Sequence, residues 1–199
     1  MEVMHKRYFA IDTAGSSYPN ISWVQLFASI IDKIRERSVI QNSSAPALKD
    51  KKQPDNIFIM LADDDNDDRE FFEEIVTEID SGIKVKVAQD GEQLMKILTT
   101  KNAPLPDLLF LDLNMPGKDG KQCLKEIKSD PGLMHLPVII YSTSALPQDI
   151  KDTHLNGANL YLRKPNTFSA ALVLLQKVFS MDLENMSAHQ DISSFALLS

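Results

Sequence analysis

Four short stretches of this 199-residue chain carry side chains that could act together on a charged substrate. Asp63, Asp64 and Asp65 follow the apolar run Ile57–Leu61, and Asp112 sits at the end of the run Leu108–Leu113. Ser142, Thr143 and Ser144 follow Pro137–Tyr141, and Lys164–Pro165 follows Ala158–Leu162. Carboxylates packed together repel unless a cation neutralises them. Oxygen-only ligands with no histidine nearby suit magnesium, which takes a few carboxylates and carbonyls and keeps waters. A carboxylate oxygen can attack phosphorus and form an acyl phosphate. The metal and a lysine can neutralise charge on the transferring oxygens, and a hydroxyl can hydrogen-bond another of them. The chemistry implied is phosphoryl transfer onto an aspartate.

These groups can meet only if the chain folds so that the ends of several apolar runs converge. From Asn56 onward, short apolar runs alternate with helical patterns. The runs named above, together with Ile83–Ala88, read as five strands; 68–79, 91–99, 121–128, 148–154 and 169–179 read as five helices. Strict alternation predicts an α/β fold, a five-stranded parallel sheet with helices on both faces. Right-handed crossovers make it doubly wound and place ligands at the carboxyl ends of the strands. Pro116–Gly117 after the third run, Pro131–Gly132 after the third helix and Asn156–Gly157 after the fourth agree with these boundaries.

Composition narrows the function classes. The net charge is −7, unevenly spread: residues 1–53 hold 8 Lys/Arg against 5 Asp/Glu, the remainder 13 against 23. An acidic body argues against non-specific nucleic-acid binding and suits a cation-binding protein. Cys123 is the sole cysteine, so no internal disulfide can form, in keeping with a reducing compartment. No apolar run approaches the roughly 20 residues needed to cross a bilayer, and the apolar stretch Tyr8–Ile11 is too short for a secretory core; a cytoplasmic location is expected. Val24, Phe27, Ile30, Ile31 and Ile34 mark one face of a helix over about 21–37. A Ser-, Pro- and Lys-rich linker from Gln41 follows it. The division expected is an N-terminal arm and linker over 1–53, a domain over 54–181 and a short tail over 182–199, with no basic recognition helix. The arm's apolar face must bury somewhere, and a homodimer contact is one option.

Four segments carry a resemblance. Ile57-Phe-Ile-Met-Leu-Ala-Asp-Asp-Asp65, Phe110-Leu-Asp-Leu-Asn-Met-Pro-Gly-Lys-Asp-Gly120, Pro137-Val-Ile-Ile-Tyr-Ser-Thr-Ser-Ala145 and Leu160-Tyr-Leu-Arg-Lys-Pro165 resemble, in order, the sequence marks of response-regulator receiver domains, a flavodoxin-like fold of two-component signalling. The chain is most similar to the single-domain, chemotaxis-regulator type. The resemblance implies that Asp112 is the phosphoacceptor, served by a histidine kinase or a histidine phosphotransfer protein. It further implies that Asp63, Asp64, Asp112 and the Asn114 backbone carbonyl hold Mg2+, with Asp64 the direct acidic ligand. Lys164 would contact the phosphate, Ser142 would be the switch hydroxyl and Tyr161 the aromatic that changes rotamer. Pro165 would follow a cis peptide bond. Downstream proteins would dock on the face formed by the fourth helix, fifth strand and fifth helix. Ser142 stands where Thr is commoner, and Ala62 is smaller than the usual Val. The extended acidic run resembles that of small phytochrome-associated regulators. Such a domain accepts a phosphoryl group and releases it slowly; it is not a turnover enzyme.

Other readings stand beside these. Asp65, Asp67 and Asp68 have the placement of helix-capping and dipole-facing residues. Asp63, Asp65, Asp67 and Glu74 have the spacing of a calcium loop, but Asp68 occupies the position that needs Gly, and a strand precedes the loop. A metal-dependent phosphohydrolase of the aspartyl-nucleophile kind needs a second acid two residues after Asp112, where Asn114 cannot protonate a leaving group. An unphosphorylated interaction module would keep the fold without the chemistry, yet the acidic pair and Lys164 are both present. Cys123 is expected to pack, and the four histidines have no ligand spacing.

Overall fold

The computed structural model describes residues 57–181 and 195–197. The expected helix over about 21–37, the arm and linker over 1–53, and most of the tail lie outside the described residues. Strands β1 (Phe58–Ala62), β2 (Lys84–Ala88), β3 (Leu108–Leu111), β4 (Val138–Ser142) and β5 (Leu160–Arg163) alternate with helices α1 (Asn66–Ile79), α2 (Gly91–Leu98), α3 (Gly120–Ser129), α4 (Pro147–Leu155) and α5 (Phe168–Phe179). Within residues 57–181 each expected strand and helix is present, with boundaries shifted by a few residues at most.

The strand count is corrected from five to six. A two-residue strand β6 (Ala196–Leu197) pairs in parallel with β5, so the sheet order is β2-β1-β3-β4-β5-β6. Phe195, just before it, is fully buried; its ring meets His154 at 4.8 Å and Tyr161 at 6.4 Å between centroids. Two residues are too few to show a period-two pattern, and nothing else around Ser193–Ser194 marks a strand. The expectation of a cis peptide before Pro165 is also corrected: among the described residues every peptide bond is trans.

Alternation along the strands divides the interior into two layers. Met60, Leu109, Leu111, Val138, Ile140 and Tyr161 belong to one cluster with Leu94, Leu98, Leu124 and Ile127 from α2 and α3. On the other face Phe72 of α1 meets Phe110 at 4.8 Å and Tyr141 at 5.6 Å, and Phe179 of α5 meets Phe110 at 6.1 Å, all edge-on. α1 and α5 pack together over this face. The fully buried Phe72 and Phe110 rings each contribute roughly 1.5–3 kcal/mol by burial, with a further increment for the edge-to-face geometry. The aromatic layer lies under the end of the sheet where Asp63, Asp112 and Lys164 emerge.

Helix starts are fixed by side chains that satisfy the free amides of the first turn. Asp65 caps α1, accepting from the Asp67 and Asp68 amides, and Asp90 caps α2. Asp119 and Gln122 form a reciprocal capping box on α3, and Thr167 caps α5. The loop that brings α3 back to β3 leaves no room at Gly120: a Cβ there would lie 2.0 Å from the Asp112 carbonyl oxygen and 2.8 Å from Leu113 Cα. The Gly120 amide donates to the Leu113 carbonyl at 3.1 Å.

At the opposite end of the sheet, Lys128 of α3 donates to the Leu136 carbonyl at 2.7 Å. Weaker bonds reach Met134 O and Asn159 Oδ1, both at 3.4 Å. Burial pulls its pKa down to about 8.

Two outcomes follow. Gly120→Ala is expected to lower the unfolding free energy by about 3 kcal/mol, since the clash is with backbone that cannot yield cheaply; urea unfolding measures it. The unfolded chain keeps the Lys128 proton up to its ordinary pKa while the folded protein releases it above about 8. Stability should therefore gain from Lys128 as pH rises above that value. Lys128→Arg, which does not titrate, should flatten that rise by about 1 kcal/mol after solvent screening, as read by the pH dependence of the urea midpoint.

Candidate functional site

Three strand ends build the site. The ladder continues one residue past each strand: the Asp63 amide donates to Ala88 O at 3.0 Å, the Asp112 amide to Ala62 O at 2.9 Å and the Lys164 amide to Ser142 O at 2.9 Å. These bonds fix the backbone at the points where the functional side chains leave it. Asp63, Asp112 and Lys164 continue the alternation of Leu61, Phe110 and Leu162, so all three project on the α1–α5 side.

Lys164 Nζ lies 2.7 Å from Asp63 Oδ2, 2.6 Å from Asp68 Oδ2 and 3.3 Å from Asp112 Oδ2. Asp63, Asp112 and Lys164 are buried, while Asp64 is exposed. One carboxylate oxygen from each of Asp63, Asp64 and Asp112 fits within 4.8 Å of the others. The remaining oxygens are held by the backbone. Asp63 Oδ1 accepts from the Asp65 amide at 3.1 Å, and Asp112 Oδ1 accepts from Leu113 at 2.6 Å and Asn114 at 3.4 Å. Arg69, buried, donates through Nη1 to the Asp63 carbonyl at 2.8 Å and pins that turn from below.

Burial raises the Asp63 carboxyl to about 6 against the opposing pull of Lys164. For Lys164, burial favours the neutral form, but Asp112, then Asp63 and Asp68, outweigh it and hold the ammonium above its ordinary value. The lysine is therefore a permanent cation, and a second cation near Asp63 would oppose the effect of burial on its carboxyl. The donor set is oxygen only, which fits a hard divalent ion.

Ser142 and Tyr161 sit on the other face of the sheet. The Ser142 hydroxyl is fully buried and accepts from the Ser144 amide at 3.4 Å. Tyr161 is buried and donates to the Ser144 carbonyl at 3.0 Å. Ser144 therefore joins the two residues, and its own hydroxyl reaches Asp149 of α4. Lys121 of α3 bridges Asp149 at 2.8 Å and Asp152 at 2.9 Å.

Sequence reasoning placed Asp63, Asp64, Asp112, Lys164 and the Ser142 hydroxyl together; the structure gathers the three acids and the lysine, with Ser142 on the other face of the sheet. It assigned Asp65, Asp67 and Asp68 to helix capping; Asp65 is the cap, and Asp67 and Asp68 lie in the first turn. Asp68 was missed as a partner of Lys164, and Arg69 was missed as the buried donor to Asp63. Arg69 bonds to a backbone carbonyl, which gives the sequence no complementary residue to show, and nothing in the sequence separates Asp68 from an ordinary dipole-facing aspartate. Cys123 is buried and its thiol is pushed up to about 11, which agrees with a packing role.

Comparison with known proteins identifies the family. Residues 59–176 match the family model described as the response regulator receiver domain. Response regulator Rcp1 of Synechocystis sp. is 29% identical over 144 residues, covering 70% of this chain and 97% of Rcp1. The crystal structure of the phosphorylated cyanobacterial phytochrome response regulator RcpA is 33% identical with a TM-score of 0.58, covering 62% of this chain and 91% of that one. The structure of the Mn(2+)-bound form of Rcp1 is 30% identical, also with a TM-score of 0.58, covering 64% and 95%. The chain belongs to the response regulator receiver family: it is a phosphoryl-accepting switch of two-component signalling, the kind of domain that works with histidine kinases or phosphotransfer proteins. Among the described residues no helix is long and apolar enough to cross a membrane.

Lys164→Met leaves buried carboxylates without their cation. It is expected to cost about 3 kcal/mol of stability near neutral pH, with the loss shrinking as pH falls towards about 6, because without the ammonium Asp63 takes up its proton at a higher pH than in the wild type. Urea unfolding of both proteins across that range checks the magnitude and the sign.

Proposed function

We propose that Asp112 is the phosphoacceptor and that Asp63, Asp64, Asp112 and the backbone carbonyl of Asn114 hold Mg2+. The observation that carries this reading is the contact of one lysine ammonium with both Asp63 and Asp112, beside a third carboxylate within 4.8 Å. Such an arrangement brings a nucleophilic oxygen, a fixed positive charge and a cation site into one small volume. When bound, the ion would neutralise charge on the transferring phosphoryl oxygens.

The residues of this chain do the rest. The Leu113 and Asn114 amides orient Asp112. Lys164 stabilises negative charge on the phosphoryl oxygens. Ser142 hydrogen-bonds one of them, and Tyr161 follows through Ser144, altering the face of α4, β5 and α5 where a downstream protein docks. A histidine kinase or histidine phosphotransfer protein supplies the phosphoryl group, and the domain releases it slowly. Residues 54–181 form this domain, 1–53 an arm and linker and 182–199 a tail, in a protein of the cytoplasm. The mixed charge and lone cysteine support that location, and the apolar spacing in 21–34 supports an arm able to make a homodimer.

Incubation with acetyl phosphate and magnesium, read by intact mass, tests the chemistry. One phosphoryl adduct is expected on the wild type, none on Asp112→Asn and none after chelation. Steady turnover of a phosphate ester would favour a phosphohydrolase, and absence of any adduct an unphosphorylated module.

A further inference from the structure

The Lys164 ammonium has three hydrogens to donate, and three carboxylates take them, at 2.7, 2.6 and 3.3 Å. A phosphoryl oxygen that binds Lys164 must therefore replace one of them. Asp63 is fully buried and its other oxygen is fixed by the Asp65 amide. Asp112 is the acceptor itself on the reading above, and its other oxygen is fixed by the Leu113 amide. Asp68 differs: its side chain is 39% exposed, it stands in the first turn of α1 and it reaches the site from the solvent side. It is the partner that can leave at least cost, because water can solvate it when it does.

We propose that Asp68 is a positioning residue that occupies Lys164 in the resting state and is displaced by the incoming phosphoryl group. This rests on Asp112 being the acceptor. The contact with Asp68 holds the ammonium closer to Asp63 and Asp68 than to Asp112, and its carboxylate adds a fourth negative group around the path of a phosphoryl dianion. In the transfer itself the bond between phosphorus and the acetyl oxygen of acetyl phosphate breaks and its electron pair leaves with acetate. A carboxylate oxygen of Asp112 forms the new bond to phosphorus, and Lys164 keeps its proton throughout. Asp68 takes no part in bond making; it sets how readily Lys164 becomes available.

Removing the charge while keeping the shape should speed phosphorylation. Asp68→Asn is expected to raise the second-order rate constant with acetyl phosphate, at saturating magnesium, by roughly threefold or more. Asp68→Glu, which restores the carboxylate, should return the rate towards that of the wild type. Asp67→Asn makes the same change in net charge one residue away and should leave the rate within about twofold. A faster Asp68→Asn that Glu rescues and Asp67→Asn does not copy supports the proposal; a rate unchanged or lowered in Asp68→Asn, or raised equally in both Asn variants, overturns it. A wild type that takes no adduct at Asp112 overturns the acceptor reading as well, so the two failures are told apart by the wild-type mass alone.

Discussion

A single ammonium group held among three carboxylates organises this end of the molecule. Bringing buried acids together is unfavourable, and without Lys164 the Asp63 and Asp112 side chains would repel each other in a medium that screens them poorly. The lysine offsets that repulsion, yet the Asp63 carboxyl stays raised, chiefly because it is buried and to a smaller extent because Asp112 is near. The residue is thus left partly uncompensated, and a second cation has something to gain by binding there. Site and stability are in tension, and the tension favours ligand binding.

Much of the fold can be understood as what is needed to hold that cluster. Asp63, Asp112 and Lys164 come from chain positions up to 101 residues apart, and a parallel sheet is what brings their strand ends side by side. The alternation of side chains sends all three to one face, over the aromatic layer of Phe72, Phe110 and Tyr141, while Ser142 and Tyr161 go to the other. On that second face Ser144 joins the two, its amide, carbonyl and hydroxyl each holding a different partner. Movement of the serine on one side of the sheet therefore has a short bonded route to the tyrosine and to α4.

The strands and helices were legible because their apolar periods are long enough to read and their ends carry turn residues. The acids and the lysine were legible because they fall immediately after strands, where a doubly wound sheet must gather them. The exceptions have physical reasons. Asp68 satisfies the demands of a helix start in sequence, and only the three-dimensional approach of α1 to β5 turns it into a partner for Lys164. Arg69 serves a carbonyl, and a bond to backbone leaves no complementary residue to find. β6 is too brief for any periodicity, and its seat depends on a single buried ring, Phe195. The Lys164–Pro165 bond is trans although resemblance suggested otherwise, since the local sequence does not fix the isomer.

The seating of β6 also bears on how copies of this protein behave at high concentration. An open sheet margin offers unpaired amides and carbonyls that another chain can extend, the usual starting point for unwanted assembly. Here the margin beyond β5 is covered by Ala196 and Leu197. A strand of two residues presents so short a ladder of its own that a further chain would find little to grip. Ala196 and Leu197 thereby act as a built-in guard on the side of the sheet that would otherwise be sticky.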